Sequence, residues 1–308
     1  MIPRSVDTAV APHTGAIGSA RPLSGGCIAH ASRLDAERGV FFLKWAEGTA
    51  GAGFEGEAAG LRGLAGVAPA DIHIPQPLAA SASAPGAPGY LLTRWIEHGA
   101  PTPAHSARLG TALAEMHRGP QPWSDAAAAY GFPADTVCGS TRQPNGWMES
   151  WPAFFRERRL APIAARLRAI QRWLSAWDAP FESLLAGLED RLPSRPHPSL
   201  VHGDLWSGNA FPAAAGATAL VDPAAYVGDR EVDLAMTALF GGFDQSFYGA
   251  YRDAWPPDPG YPDRAAVYDL YHLMNHALIF GGGYVGAVTR ALGRAGRSAL
   301  PGAGGARL

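Results

Sequence analysis

The stretch Val201-His202-Gly203-Asp204-Leu205-Trp206-Ser207-Gly208-Asn209, followed after a turn by Ala219-Leu220-Val221-Asp222-Pro223, decides how this chain is read. An Asp five residues ahead of an Asn, then a second Asp at the end of a short apolar strand, supplies the three oxygen-bearing side chains that phosphoryl transfer uses. One carboxylate receives a hydroxyl proton, while the Asn and the other Asp hold magnesium. Asp204 is the expected base, and Asn209 and Asp222 are the expected metal ligands. Magnesium prefers hard oxygen donors and keeps water and phosphate oxygens in its shell, so two protein ligands suffice. The plainer alternative is an Asp turn and a helix cap; the downstream Asp and an upstream lysine argue against it.

That lysine is conspicuous. Of 25 basic residues, 24 are Arg and one, Lys44, is Lys, and Asn occurs only at 145, 209 and 275. In a chain whose composition disfavours both types, the survivors stand where a substitute fails chemically. A narrow slot that wants one compact cation does not accept the wide, forked guanidinium. Lys44 closes the apolar run Gly39-Val-Phe-Phe-Leu-Lys44-Trp45, which reads as a strand. Upstream, Leu23-Ser-Gly25-Gly26-Cys27-Ile-Ala29 reads as a glycine pair entering another strand, so that the two form a hairpin whose loop can lie over a ligand. In Phe54-Glu-Gly-Glu57-Ala-Ala-Gly-Leu61, helical spacing puts Glu57 on the buried stripe with Phe54, Ala58, Leu61 and Leu64, and Glu55 off it. A carboxylate on an apolar face wants a partner. Lys44 is the one lysine available, with an Arg or solvent as alternatives.

A further strand is expected over Gly89–Ile96, and the Pro-rich turn at Pro101-Thr102-Pro103 marks a lobe boundary. Beyond it the pattern is mainly helical: Ala107–His117, Trp151–Trp177, Phe181–Leu192, Val232–Phe240 and Pro262–Ile279. Short strands interrupt these around Leu200-Val201 and Ala219–Val221, and the tail from Ala295 is expected to fray. The apolar content is 47%, the charged content 17% and the net charge -2, so no basic field exists to hold nucleic acid. No stretch reaches the length of a spanning helix. Two cysteines make no disulfide framework and the N-terminus lacks a signal-peptide core, so a cytoplasmic location is expected.

Lys44 on a strand, Glu57 on the following helix, HGDLWSGN at 202–209 and VDP at 221–223 resemble the protein-kinase-like fold in its small-molecule branch. The finer blocks resemble the fructosamine kinase (ketosamine kinase) family: GGCI at 25–28, FEGEAAGL at 54–61, CGSTRQPNGW at 138–147, WPAFFRERRL at 151–160, VDPAAYVGDREVDLAM at 221–236 and FGGF at 240–243. The resemblance covers most of the chain. It implies a bilobal α+β fold, with an N-terminal antiparallel-sheet lobe over 1–97 and a helical lobe over 98–308. It also implies ATP-dependent phosphorylation of a sugar hydroxyl on a ketoamine, free or protein-linked, after which the adduct falls apart; the family role is deglycation. ATP and Mg2+ are the implied cofactors, and the chain is expected as a monomer or weak homodimer. HGD and VDP alone would also admit aminoglycoside or choline kinases, and the fold could survive in a non-catalytic nucleotide-binding protein.

Within that resemblance Lys44, fixed by Glu57, neutralises the nucleotide phosphates. Gly25 and Gly26 let backbone N–H groups approach phosphate without a Cβ in the way. Adenine meets the main chain of Arg94 and Ile96, although the family tends to carry an acidic residue where Arg94 stands. Asn145 and Asn275 are candidates for sugar hydroxyls, with a turn role as the alternative for Asn145. Trp206 is a candidate stacking platform for sugar C–H surface or an aromatic amine, with wedging the loop as the alternative. Where the family often reads Asn-His-x-Asn-His-Phe-Gly, this chain has Asn275-His276-Ala-Leu278-Ile279-Phe-Gly, two polar groups fewer. Cys27 in the glycine turn is a candidate redox thiol. His202 and Asp233 are expected to brace the catalytic loop, no zinc site is expected because the ten histidines are scattered and the cysteines unpaired, and the arginines at 156, 158, 159, 166 and 168 form a basic stretch of unknown facing.

Overall fold

The computed structural model describes residues 2–23, 29–121, 123 and 129–295. Helix α1 (Arg4–Thr14) leads into strands β1 (Ile17–Pro22), β2 (His30–Ala36) and β3 (Gly39–Ala46), a short helix α2 (Gly48–Ala52) and helix α3 (Phe54–Val67). Strands β4 (Ile72–His73), β5 (Pro77–Ser81) and β6 (Gly89–Arg94) follow. The main sheet is antiparallel in the order β1-β2-β3-β6-β5. Side chains alternate along β3, and this decides what each face does. Phe41, Leu43 and Trp45 join Leu34 and Leu92 in a small core closed by Val6 and Val10 of α1. Lys44, opposite Ala31 and Leu91, is out of phase with them and faces α3.

The stripe expected on α3 is buried as a set, with Phe54, Glu57, Ala58, Leu61 and Leu64 inside and Glu55 exposed. Its glycines permit an approach no side chain would allow. A Cβ on Gly56 would lie 2.2 Å from the carbonyl oxygen of Asp135, and one on Gly53 would lie 2.3 Å from Val137. The helix thereby packs by its backbone against the segment around β7 (Thr136–Cys138), which hairpins with β8 (Thr141–Gln143).

The remainder is mainly helical. Helix α4 (Pro103–Arg118) packs on the later α10 (Gln245–Ala254). The expected helix over 151–177 is broken into α5 (Trp151–Phe155), a π turn at Arg156–Leu160, α6 (Ala161–Ala169) and a 3-10 turn at Ser175–Trp177. Pro162 explains the π turn, because it has no N–H to give Arg158; the Arg158 carbonyl instead accepts from Arg159 Nη1 at 2.8 Å. Gly187 separates α7 (Asp178–Ala186) from α8 (Leu188–Arg191). The chain continues through β9 (Pro198–Val201), β10 (Ala210–Pro212), β11 (Thr218–Leu220), β12 (Tyr226–Asp229), α9 (Glu231–Leu239), α10, α11 (Tyr261–Phe280) and α12 (Gly283–Ala295).

The strand expected after the glycine pair is β2, which begins at His30 and pairs antiparallel with β1 and β3. Residues 24–28, with Gly25, Gly26 and Cys27, lie outside the described residues, as does the tail beyond Ala295. The connection through Pro101 is tied down, with the N–H of Gly99 donating to Pro212 O at 2.7 Å and that of Ala214 to Glu97 O at 2.8 Å. In addition, β4 pairs in parallel with β11, so the N-terminal half lends a strand to the sheet of the C-terminal half.

Candidate active site

Beta-3 and α3 bring Lys44 and Glu57 together, and the turn after β11 brings Asp222 to both. Lys44 Nζ lies 2.7 Å from Glu57 Oε1 and 2.9 Å from Asp222 Oδ1. Lys44 and Glu57 are buried, whereas half of the Asp222 side chain is exposed. Asp222 adopts φ +55°, a left-handed conformation unusual outside glycine. Burial works against the lysine charge, but Asp222 and Glu57 outweigh it and hold the ammonium protonated far above its ordinary range. For Glu57 burial dominates, Asp222 adds to it and Lys44 opposes it, lifting the carboxyl to about 7.

The loop after β9 is fixed from below. The Asp233 carboxylate on α9 accepts the N–H groups of His202 (2.7 Å) and Gly203 (2.9 Å) and the Nε2–H of His117 (3.1 Å), whose Nδ1 accepts from the Tyr251 hydroxyl. Asp233 pays for its burial with these bonds, and they hold its carboxyl below the ordinary range. His202 donates Nε2–H to Val221 O at 2.9 Å and accepts the N–H of Asp204 at Nδ1, so one imidazole ties the Asp204 loop to the strand leading to Asp222. Burial keeps that imidazole neutral. Gly203 is required at its position, since φ is +78° and a Cβ would lie 2.3 Å from Ala224 O.

Asp204 tops this support. Burial first and the Asp222 charge second lift its carboxyl to about 7, against the donation from Asn209. Asn209 Nδ2 donates to Asp204 O at 2.8 Å, and Asn209 O accepts from Val221 N at 3.0 Å. With the amide nitrogen so engaged, Oδ1 is the side-chain atom of Asn209 that could serve a cation. With the half-exposed Asp222 carboxylate it makes a set of hard oxygens that fits magnesium.

Around the Asp204 carboxylate the structure also assembles residues the sequence did not connect. Cys138 at the end of β7 and His272 on α11 each bring a ligand-type atom near the Asp204 carboxylate. Asn275, one helical turn beyond His272, donates Nδ2 to Cys138 O (3.1 Å) and Sγ (3.2 Å). A signal existed: His272 and Asn275 share a helix face at i, i+3, but nothing in the order of the chain places Cys138 opposite them.

Asn145 is fully buried and its amide is committed. Nδ2 donates to Ala134 O and Thr136 Oγ1, and Oδ1 accepts from Arg159 Nη2 at 2.7 Å, which leaves it bracing the hairpin rather than meeting sugar hydroxyls. Arg159 is buried too, stacked 3.9 Å over the Tyr226 ring. The basic stretch has no common face: Arg156 pairs with Glu189 and Arg168 with Asp178. Trp206 is 41% exposed beside the loop, its ring lying over Gly208. The Arg94 side chain is turned to Arg38 O and the Phe41 ring, and Ile96 follows at the end of the sheet, half-buried.

A sequence model described as fructosamine kinase matches residues 5–296. A protein of Synechocystis named "Probable ketoamine kinase" is 40% identical over 266 residues, covering 86% of this chain and 85% of the relative. A crystal structure from Thermobifida fusca, named as a candidate fructosamine-3-kinase, is similar with a TM-score of 0.81 and 28% identity over 94% of this chain and 98% of its own. An aminoglycoside phosphotransferase variant crystallised with ADP and hygromycin B shares the fold at a TM-score of 0.62 and 18% identity, covering 98% of this chain and all of its own. Among the described residues no helix is long and apolar enough to cross a membrane.

Proposed function

This chain belongs to the fructosamine kinase family, and on that premise we propose that it transfers the γ-phosphoryl group of ATP to a sugar hydroxyl of a ketoamine. The phosphorylated adduct then decomposes, and the amine is deglycated. The observation that carries the reading is the meeting of Lys44 with Glu57 and Asp222 within 2.9 Å, across from an Asp204 loop held by Asp233 and His202.

In this reading Lys44 neutralises the nucleotide phosphates and Glu57 keeps the ammonium aimed at them. Arg94 and Ile96 offer main-chain atoms to the adenine, and Gly25 and Gly26 offer theirs to phosphate. Asn209 and Asp222 hold Mg2+, which when bound spreads the charge that develops on the transferring group. Asp204 accepts the proton of the attacking sugar hydroxyl as the new O–P bond forms and the bond to the leaving ADP oxygen breaks. Its carboxyl, lifted to about 7, suits a base working near neutrality. Trp206 provides the face on which the sugar lies, and Asn275 lies beside Asp204 on the acceptor side. Domain assignments of 1–97 and 98–308, a cytoplasmic location and a monomer or weak homodimer complete the reading.

The test is ATP consumption with magnesium across fructosamines, ribulosamines, free sugars, aminoglycosides and choline. Turnover with ketoamines alone is expected; turnover stimulated only by an aminoglycoside or choline overturns the substrate class.

A further inference from the structure

The groups that β7 and α11 bring to Asp204 are chemically odd for a magnesium kinase. Cys138 Sγ, an Asp204 carboxylate oxygen and a ring nitrogen of His272 all lie within 4.8 Å of one another. They come from β7, the loop after β9 and α11, so only the tertiary fold makes them neighbours. Cys138 and His272 are 2% and 5% exposed, and Asp204, half-buried, is the member nearest solvent. Two buried polar atoms here have no hydrogen-bond partner, His272 Nδ1 and Asn275 Oδ1. Native interiors rarely leave such atoms unpaired without a use for them.

Sulfur, imidazole nitrogen and carboxylate oxygen together suit zinc far better than magnesium, which takes oxygen and keeps its water. Zinc holds four ligands tetrahedrally with bonds of about 2.0–2.3 Å, which spaces them about 3.3–3.8 Å apart. From separations of up to 4.8 Å the three groups have to close by no more than about 1–1.5 Å, a movement of side-chain size. The neighbours are arranged for it: Asn275 Nδ2, 3.2 Å from Sγ, would donate to a thiolate, the kind of outer contact that tunes a metal–sulfur bond.

We infer that Cys138, Asp204 and His272 form a zinc site that competes with the acceptor substrate. On binding, the thiol proton leaves to solvent as the Zn–S bond forms, the carboxylate and imidazole donate lone pairs, and the fourth position stays open to water. The Asp204 oxygens then serve the metal and cannot take a proton from a sugar hydroxyl, so zinc inhibits. The inhibition rests on the role of Asp204 proposed above; the binding does not.

The two are therefore tested separately, on the full chain. Cobalt chloride serves as the spectroscopic probe, and a thiolate-to-cobalt charge-transfer band with tetrahedral visible bands is expected from the wild type. Zinc chloride should displace the cobalt and abolish both. The band should vanish in Cys138→Ser, and zinc affinity measured by calorimetry should fall at least about tenfold in Cys138→Ser and in His272→Ala. Zinc should inhibit ketoamine phosphorylation competitively with the ketoamine, with an inhibition constant that rises by the same factor in both variants. Absence of the charge-transfer band in the wild type at saturating cobalt overturns the site whatever the variants do. Zinc affinity unchanged in both variants overturns it as well, because the metal is then held elsewhere. Binding as described without inhibition would leave the site standing and overturn the role of Asp204 as base.

Discussion

The two flanks of Asp204 are built on opposite principles. Toward Lys44, charges meet charges: an ammonium between two carboxylates, one of them half open to solvent, beside the Asn209 amide. Toward α11, the groups are a thiol, a neutral imidazole and an amide with an unpaired oxygen, all buried. By our proposal the first flank meets a highly charged nucleotide and the second an uncharged sugar hydroxyl and, by our further inference, a soft cation. The difference teaches that Asp204 reads two environments at once, and that its chemistry is set by their boundary rather than by either alone.

The strongest way to break the comparison is to remove that boundary. Asp204→Asn keeps the shape and the Asn209 contact but cannot take a proton; kcat should fall by about 10²–10⁴ with nucleotide binding retained in calorimetry. Turnover near the wild type would refute the base. Next, Lys44→Met should lower kcat/KM by about 10²–10³ while the melting curve stays cooperative. Lys44→Arg should recover little of it, because the slot between Glu57 and Asp222 is sized for a point charge; full recovery would mean that only charge matters.

The pH profile is expected to show the boundary directly. Because burial and Asp222 raise the Asp204 carboxyl, it is neutral and unable to act below about 7 and ionised above, so kcat/KM should drop about tenfold per unit as the pH falls past that point. A plateau extending unbroken to pH 5 would contradict that environment. Smaller still, Asn145→Ala should cost about 1–3 kcal/mol of stability, since Arg159 and Thr136 lose a buried partner. A raised KM for the ketoamine with stability unaltered would return Asn145 to the substrate. Arg94→Ala should shift neither the KM for ATP nor the stability by more than about 0.5 kcal/mol, its side chain being exposed and only its main chain being assigned to the nucleotide.

Much of the phosphate flank was legible because its signals are local or carried by rarity. HGDxxxxN and VDP are short-range patterns, a lone lysine in a chain of arginines marks itself, and helical spacing singled out Glu57 on α3. The strand and helix spans were approximately legible for the same reason: periodicity reports which face is buried. Where it failed, a local cause intervened, as with Pro162 and its π turn inside an otherwise helical stretch, or Gly187 between α7 and α8. Of the two readings of Asn145, the structural one has the support of its buried bond to Arg159, 14 residues along in the π turn, whose inward facing no pattern of charges announces.

By itself, then, the sequence determined the kinase-like class and the lysine–glutamate pair, and it singled out Asp204, Asn209 and Asp222 for the roles we propose, because each is encoded in spacing along one element or in a residue type that has no substitute. Only the tertiary structure decided that Cys138 faces His272 and Asn275 across Asp204, that Asp222 closes on Lys44, and that α3 lies backbone to backbone on the β7 segment. Those are contacts between distant elements, fixed by which glycines permit close approach and which cores close over them, and a one-dimensional pattern carries no record of that distance.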